Sequence, residues 1–138
     1  MKKVIVGKKI ITPFGLINGY LEIEDGKITK VKEGNFEHHE DVEIIDAGEN
    51  YVSPGFIDIH THGGGGHDFM DGSVECILKA SEKHLEHGTT TIVPTTLTST
   101  QDELFKTIDN FKKAKINLKY GPYLHGLHLE GPYFSQEQ

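Results

Sequence analysis

From Gly55 onward the sequence alternates between strand-length and helix-length segments, and this alternation restricts the fold more than any other feature. "GFIDIH" reads as a strand, "SVECILKASEKHLEHG" as a helix, "TTTIVPTT" as a β-branched strand, "TQDELFKTIDNFKKA" as a second helix and "YLHGLHLEG" as a third strand. In the first helix Val74, Ile77, Leu78, Ser81 and Leu85 form one stripe, with Ser73 placed to cap the start and Gly88 to end it. In the second, Thr100 and Glu103 have capping-box spacing, and Leu104, Ile108 and Phe111 line the inner face. Strand, helix, strand, helix, strand is the order of parallel β/α units, so the fold class is α/β. A closed barrel of eight such units takes about 250 residues. Three units leave a sheet edge and apolar faces uncovered, so the 138 residues read as the front portion of a larger fold. The same exposed edges predict self-association into a homo-oligomer.

Residues 1–52 have a different texture. "KVIVGKKII", "GLINGYLEIED" and "EDGKITKVKE" are β-rich, and Asp25-Gly26 between alternating segments is a strong hairpin signal. Leu21, Ile23, Ile28 and Val31 predict an antiparallel sheet with one wet face. "VEIIDA" is a further short strand after the polar link "GNFEHHED", where His38 and His39 read as solvated surface. The expected division is therefore 1–52 and 53–138.

Composition removes several classes of function. The net charge of −7 opposes binding to a phosphate backbone, so nucleic acid is not an expected partner. No apolar run approaches the roughly 20 residues of a bilayer span. Lys8 and Lys9 interrupt the apolar N-terminal stretch too early for a signal-peptide core. The single cysteine, Cys76, excludes an internal disulfide and suits a reducing compartment, the cytoplasm.

The chemistry gathers at strand ends. Residues two apart on a strand share a face, so Phe56, Asp58, His60 and His62 are expected to point one way, into the mouth where barrel enzymes build their sites. Two imidazoles on one face serve either a metal ion or a pair of hydrogen bonds. His128 and Glu130 repeat the spacing at the end of the third strand, where Gly131-Pro132 must break it. The repetition favours the metal, with His128 as much a packing group as a ligand. Asp58 reads as a buried brace for the site. Gly63 to Gly66 lack the spacing and lysine of a phosphate loop and read as a flexible connector. His67 and Asp68 read as solvated loop residues, with the site mouth as the alternative. His84 and His87 suit a helix C-terminus without further function, His125 reads as structural, and Cys76 as an inert boundary thiol rather than a nucleophile.

"PGFIDIHTHGGGG", "EHGTTTIVPTTLTS" and "GLHLEGPYFS" together resemble the amidohydrolase superfamily and, within it, the N-acetylglucosamine-6-phosphate deacetylase family, over essentially the whole chain. The resemblance implies a small β-sandwich portion at 1–52, followed at 53–138 by the first three β/α units of an incomplete TIM-like barrel. It implies metal ligation by Glu130 and, in two-metal members, by His60 and His62, with zinc or iron as one or two ions. The implied substrate is a small-molecule amino-sugar phosphate, N-acetylglucosamine 6-phosphate, hydrolysed to glucosamine 6-phosphate and acetate. The family's general-base aspartate, two more metal-binding histidines and its phosphate-binding residues are expected beyond residue 138. The 138 residues alone are therefore expected to be catalytically silent. Another amidohydrolase of dihydroorotase or deaminase type is the nearest alternative, and "HLEGPY" argues against it. A non-catalytic metal-binding fragment is the other.

Overall fold

The first strand, β1 (Lys2–Thr12), runs antiparallel to β2 (Gly15–Glu24), which turns through Asp25-Gly26 into antiparallel β3 (Lys27–Glu33). Asp25 and Gly26 have φ of 50° and 76°, the two positive values that a type I′ hairpin turn needs. β1 carries a bulge between Gly7 and Ile10, at the paired lysines. This is a computed structural model, and it describes residues 2–37, 41–131, 133 and 135. His38 and His39 lie outside the described residues, as does Pro132.

The sequence pattern predicts an antiparallel sheet here, and the sheet is mixed. β4 (Glu43–Asp46) and β5 (Tyr51–Val52) both pair with β1 in parallel, on the edge opposite β2. Hairpin turns dictate antiparallel pairing only for strands they join, and β4 reaches β1 by a longer link. Among the described residues these five strands form one sheet. Val4, Ile10, Tyr20 and Leu21 are buried, whereas Ile28 and Val31 on β3 are exposed. Glu22 is nearly buried too, held by Lys2 Nζ at 2.7 Å and Lys30 Nζ at 3.1 Å.

The chain divides into two compact units, Met1–Pro54 and Gly55–Gln138. The second opens with β6 (Phe56–Thr61) and a small hairpin of β7 (Gly63–Gly64) and β8 (His67–Asp68). Then come α1 (Val74–Glu86), β9 (Thr89–Thr96) and α2 (Gln101–Asn117). Ser73 Oγ accepts the Cys76 amide at the start of α1, and the Gly88 amide closes its end on Leu85 O. At α2 the full Thr100–Glu103 capping box forms. No described helix is long and apolar enough to cross a membrane.

The expected third strand is split in two, β10 (Tyr123–Leu124) and β11 (His128–Leu129). β6 lies parallel to β9 on one side, with β10 and β11 parallel to it on the other. Both neighbours gain an extra residue at the same level: Leu124 and His128 face Ile92 and Thr95, and Asp58 and Thr61 face Ile92 and Pro94. Pro94 has no amide to give the ladder. The Thr61 amide donates to Thr95 Oγ1 at 3.1 Å, and that hydroxyl donates to Val93 O at 3.3 Å. The core beneath the helices is Phe69, Ile77, Ala80, Ile92, Phe111, Ala114 and Leu124, flanked by Val74, Leu78, Leu118 and Leu127.

Candidate metal centre

β6 and β11 end on either side of β9, and their terminal side chains meet across it. His60 Nε2 lies 3.0 Å from Glu130 Oε2, and His62 Nε2 lies 3.1 Å from the same oxygen. Ligating atoms of these residues fall within 4.8 Å of one another. All three are partly open to solvent, with side-chain exposures of 48%, 35% and 33%. A carboxylate only accepts, so both imidazoles present their Nε2 face to one oxygen. Strict alternation along β6 is broken by the bulge between Asp58 and Thr61. Bulges commonly re-aim side chains beside functional sites, and here His60 and His62 still converge.

Neighbouring groups fix the two rings. The His128 ring meets His60 edge to face at a centroid distance of 4.6 Å, and the His60 and His62 rings do so at 5.3 Å. His128 thus packs against His60 and does not belong to the Glu130 donor cluster. Asp58 is half-buried, not buried as expected; its Oδ1 accepts the His60 amide at 3.1 Å, which ties the strand to itself. His62 Nδ1 is buried with no hydrogen-bond partner among the described residues.

The glycine run behaves differently from a flexible connector. Gly63 pairs with Asp68 and Gly64 with His67, while Gly65 and Gly66 make the turn with φ of 61° and 83°. A Cβ on Gly63 would stand 2.1 Å from His67 O, so only glycine permits this close hairpin. His67 and Asp68 are accordingly half-buried strand residues, not solvated loop. The Phe69 amide donates to His62 O at 2.8 Å, binding the hairpin back onto the histidine strand.

His84, expected only to favour the helix end, contributes here. Its Nε2 lies 3.0 Å from Gly63 O, its Nδ1 3.9 Å from Asp58 Oδ2, and its ring stacks on Phe69 at 6.4 Å. The sequence separation of 21 between His84 and Gly63 gave no spacing signal. His87 is exposed, and His125 is exposed with its ring edge against Tyr123. Cys76 is half-buried, and it shares a second donor cluster with His67 and Asp71.

This geometry, two histidines from one strand end and a glutamate from the next strand but one, is what a parallel β/α hydrolase would present. The family model for the amidohydrolase family matches residues 51–137, and the chain belongs to that family. Within it, the chain is similar to N-acetylglucosamine-6-phosphate deacetylases. It is 36% identical over 124 residues to the one from Bacillus subtilis (strain 168), covering 88% of this chain and 31% of the relative. The crystal structure of the deacetylase from Pasteurella multocida superposes with a TM-score of 0.85 at 29% identity, over 99% of this chain and 36% of that one. A D267A mutant deacetylase from Mycobacterium smegmatis, in complex with N-acetyl-D-glucosamine-6-phosphate, gives 0.81 at 29% identity over 97% and 34%. The chain thus spans about a third of the length of the relatives it matches.

Proposed function

We propose that this chain forms part of a metal-dependent deacetylase that hydrolyses N-acetylglucosamine 6-phosphate to glucosamine 6-phosphate and acetate. The carrying observation is the approach of His60 Nε2 and His62 Nε2 to the single oxygen Glu130 Oε2, at 3.0 and 3.1 Å. The donor set fits a divalent ion: two imidazole nitrogens and one carboxylate oxygen, a combination that suits zinc or iron equally. His60, His62 and Glu130 would hold it, as one ion or as part of a two-ion site. An ion bound there supplies Lewis-acid polarisation of the amide carbonyl and a source of nucleophilic water near neutral pH.

This chain's own residues prepare that site. The Nε2 atoms of His60 and His62, both turned to the same carboxylate oxygen, would be the imidazole donors to such an ion. Asp58 and the Thr95 hydroxyl accept the His60 and Thr61 amides and hold the backbone of the bulged end of β6 that carries the pair. The β7–β8 hairpin, pinned by His84 on Gly63 O, fixes the chain leaving His62. The carboxylate that moves the proton to the leaving amine is proposed to come from a later strand, beyond residue 138. The similarity to deacetylases, one of them solved with the sugar phosphate bound, supports this substrate.

The test is to complete the chain with the later strands of the Bacillus subtilis deacetylase and assay acetate release from N-acetylglucosamine 6-phosphate. Turnover by the chimera, reduced by about two orders of magnitude or more in Glu130→Gln, is expected. A soluble, folded chimera that binds metal and leaves the sugar phosphate intact would count against the reading.

A further inference from the structure

A second group of metal-ligating side chains stands apart from the first and shares no residue with it. His67, Asp71 and Cys76 each place one ligand atom within 4.8 Å of the other two. They come from three pieces of backbone that are individually held. His67 sits in β8, paired with Gly64. Asp71 closes a tight turn: its amide donates to Asp68 O at 3.2 Å, and its Oδ2 accepts the Asp68 amide at 2.8 Å. Gly72, with φ of 78°, then directs the chain into α1. Cys76 lies in the first turn of that helix, its amide donating to Ser73 Oγ at 3.1 Å.

We propose that His67, Asp71 and Cys76 form a second metal site, taking a thiophilic divalent cation of the zinc type. The donor chemistry sets the class: a thiolate, an imidazole and a carboxylate together match borderline-soft zinc better than hard magnesium or calcium. Around zinc, tetrahedral donors stand about 3.3–3.8 Å apart, so closing the present cluster needs side-chain movements on the order of 1 Å. Three protein donors leave a fourth position. Asp71 is exposed, so water can fill it. A thiol that merely fills space at a helix boundary gains nothing from having both an imidazole and a carboxylate brought to it. This proposal does not depend on the deacetylase reading.

The experiment uses the 138-residue chain carrying His60→Ala and His62→Ala, so that the first cluster is silent. Cadmium is added and the thiolate-to-metal charge-transfer absorption recorded. Cys76 is the only cysteine, so the band has one source. One cadmium per chain at saturation is expected, displaced by zinc and at least tenfold weaker in His67→Ala. In the unsubstituted chain, zinc should slow iodoacetamide alkylation of Cys76 at least tenfold, and His67→Ala should abolish that protection. This second readout holds even if the double variant folds poorly. No thiolate band at saturating cadmium in a folded double variant, or protection unchanged by His67→Ala, overturns the site.

Discussion

Glu130 is 70 residues from His60 in sequence, yet one of its oxygens serves both histidines. Removing that charge while keeping its shape should therefore separate ligation from packing. In a Cys76→Ser chain, Glu130→Gln is expected to leave the thermal midpoint nearly unchanged, because the side chain is a third exposed, while lowering bound zinc or iron at least tenfold. Equal metal content in the variant, measured by plasma mass spectrometry, would remove Glu130 from the ligand set. Glu22 makes a different point. The hydrogen bond from Lys2, then that from Lys30, holds its carboxyl below the ordinary 4.5. A depressed folded value gives stability that is present above the unfolded value and lost as the pH falls through the folded one. Glu22→Gln should thus lower the melting temperature at neutral pH and lose its effect in acid below both values. A difference that persists undiminished there contradicts the ion-pair account.

Elements differ in how much of their geometry is local. Both helices were legible because their signals sit inside a few residues: Ser73 before α1, and the Thr100–Glu103 box before α2. Thr100→Ala should cost about 1 kcal/mol in denaturant unfolding, and no measurable loss would show that the box is idle. The bulges on β6 and between β10 and β11 were not legible. They are register shifts against β9, set across the sheet rather than along the chain. For the same reason the glycine run was misread: the pairing of Gly63 with Asp68 depends on a close approach that no spacing rule announces. Gly63→Ala, with its Cβ 2.1 Å from His67 O, should destabilise the unit by about 1–3 kcal/mol and weaken metal retention at His60 and His62. A variant as stable and as metal-rich as the parent would mean the hairpin adapts freely. The convergence of His60, His62 and Glu130 was legible only as recurring spacing at two strand ends. The sheet order then brought those ends together.

At the scale of the molecule, β6 displays Phe56, Ile57 and Ile59 at 67–68% exposure. Among the described residues β6 pairs only with β9. An apolar strand with one free edge is a site for association, and relatives about three times as long have more chain to cover it. Concentration-dependent sedimentation of the 138-residue chain, relieved by Ile57→Lys together with Ile59→Lys, is the expected result. A monomer at all concentrations would show that the face is tolerated bare. The central claim is that these 138 residues assemble a metal centre from His60, His62 and Glu130. Its most direct test is metal content per chain, measured on protein purified without chelator or affinity tag. Near-stoichiometric zinc or iron in the Cys76→Ser chain, lost when His60→Ala or His62→Ala is added, is the predicted result. A folded chain with essentially no metal, or with metal indifferent to both histidines, would contradict it.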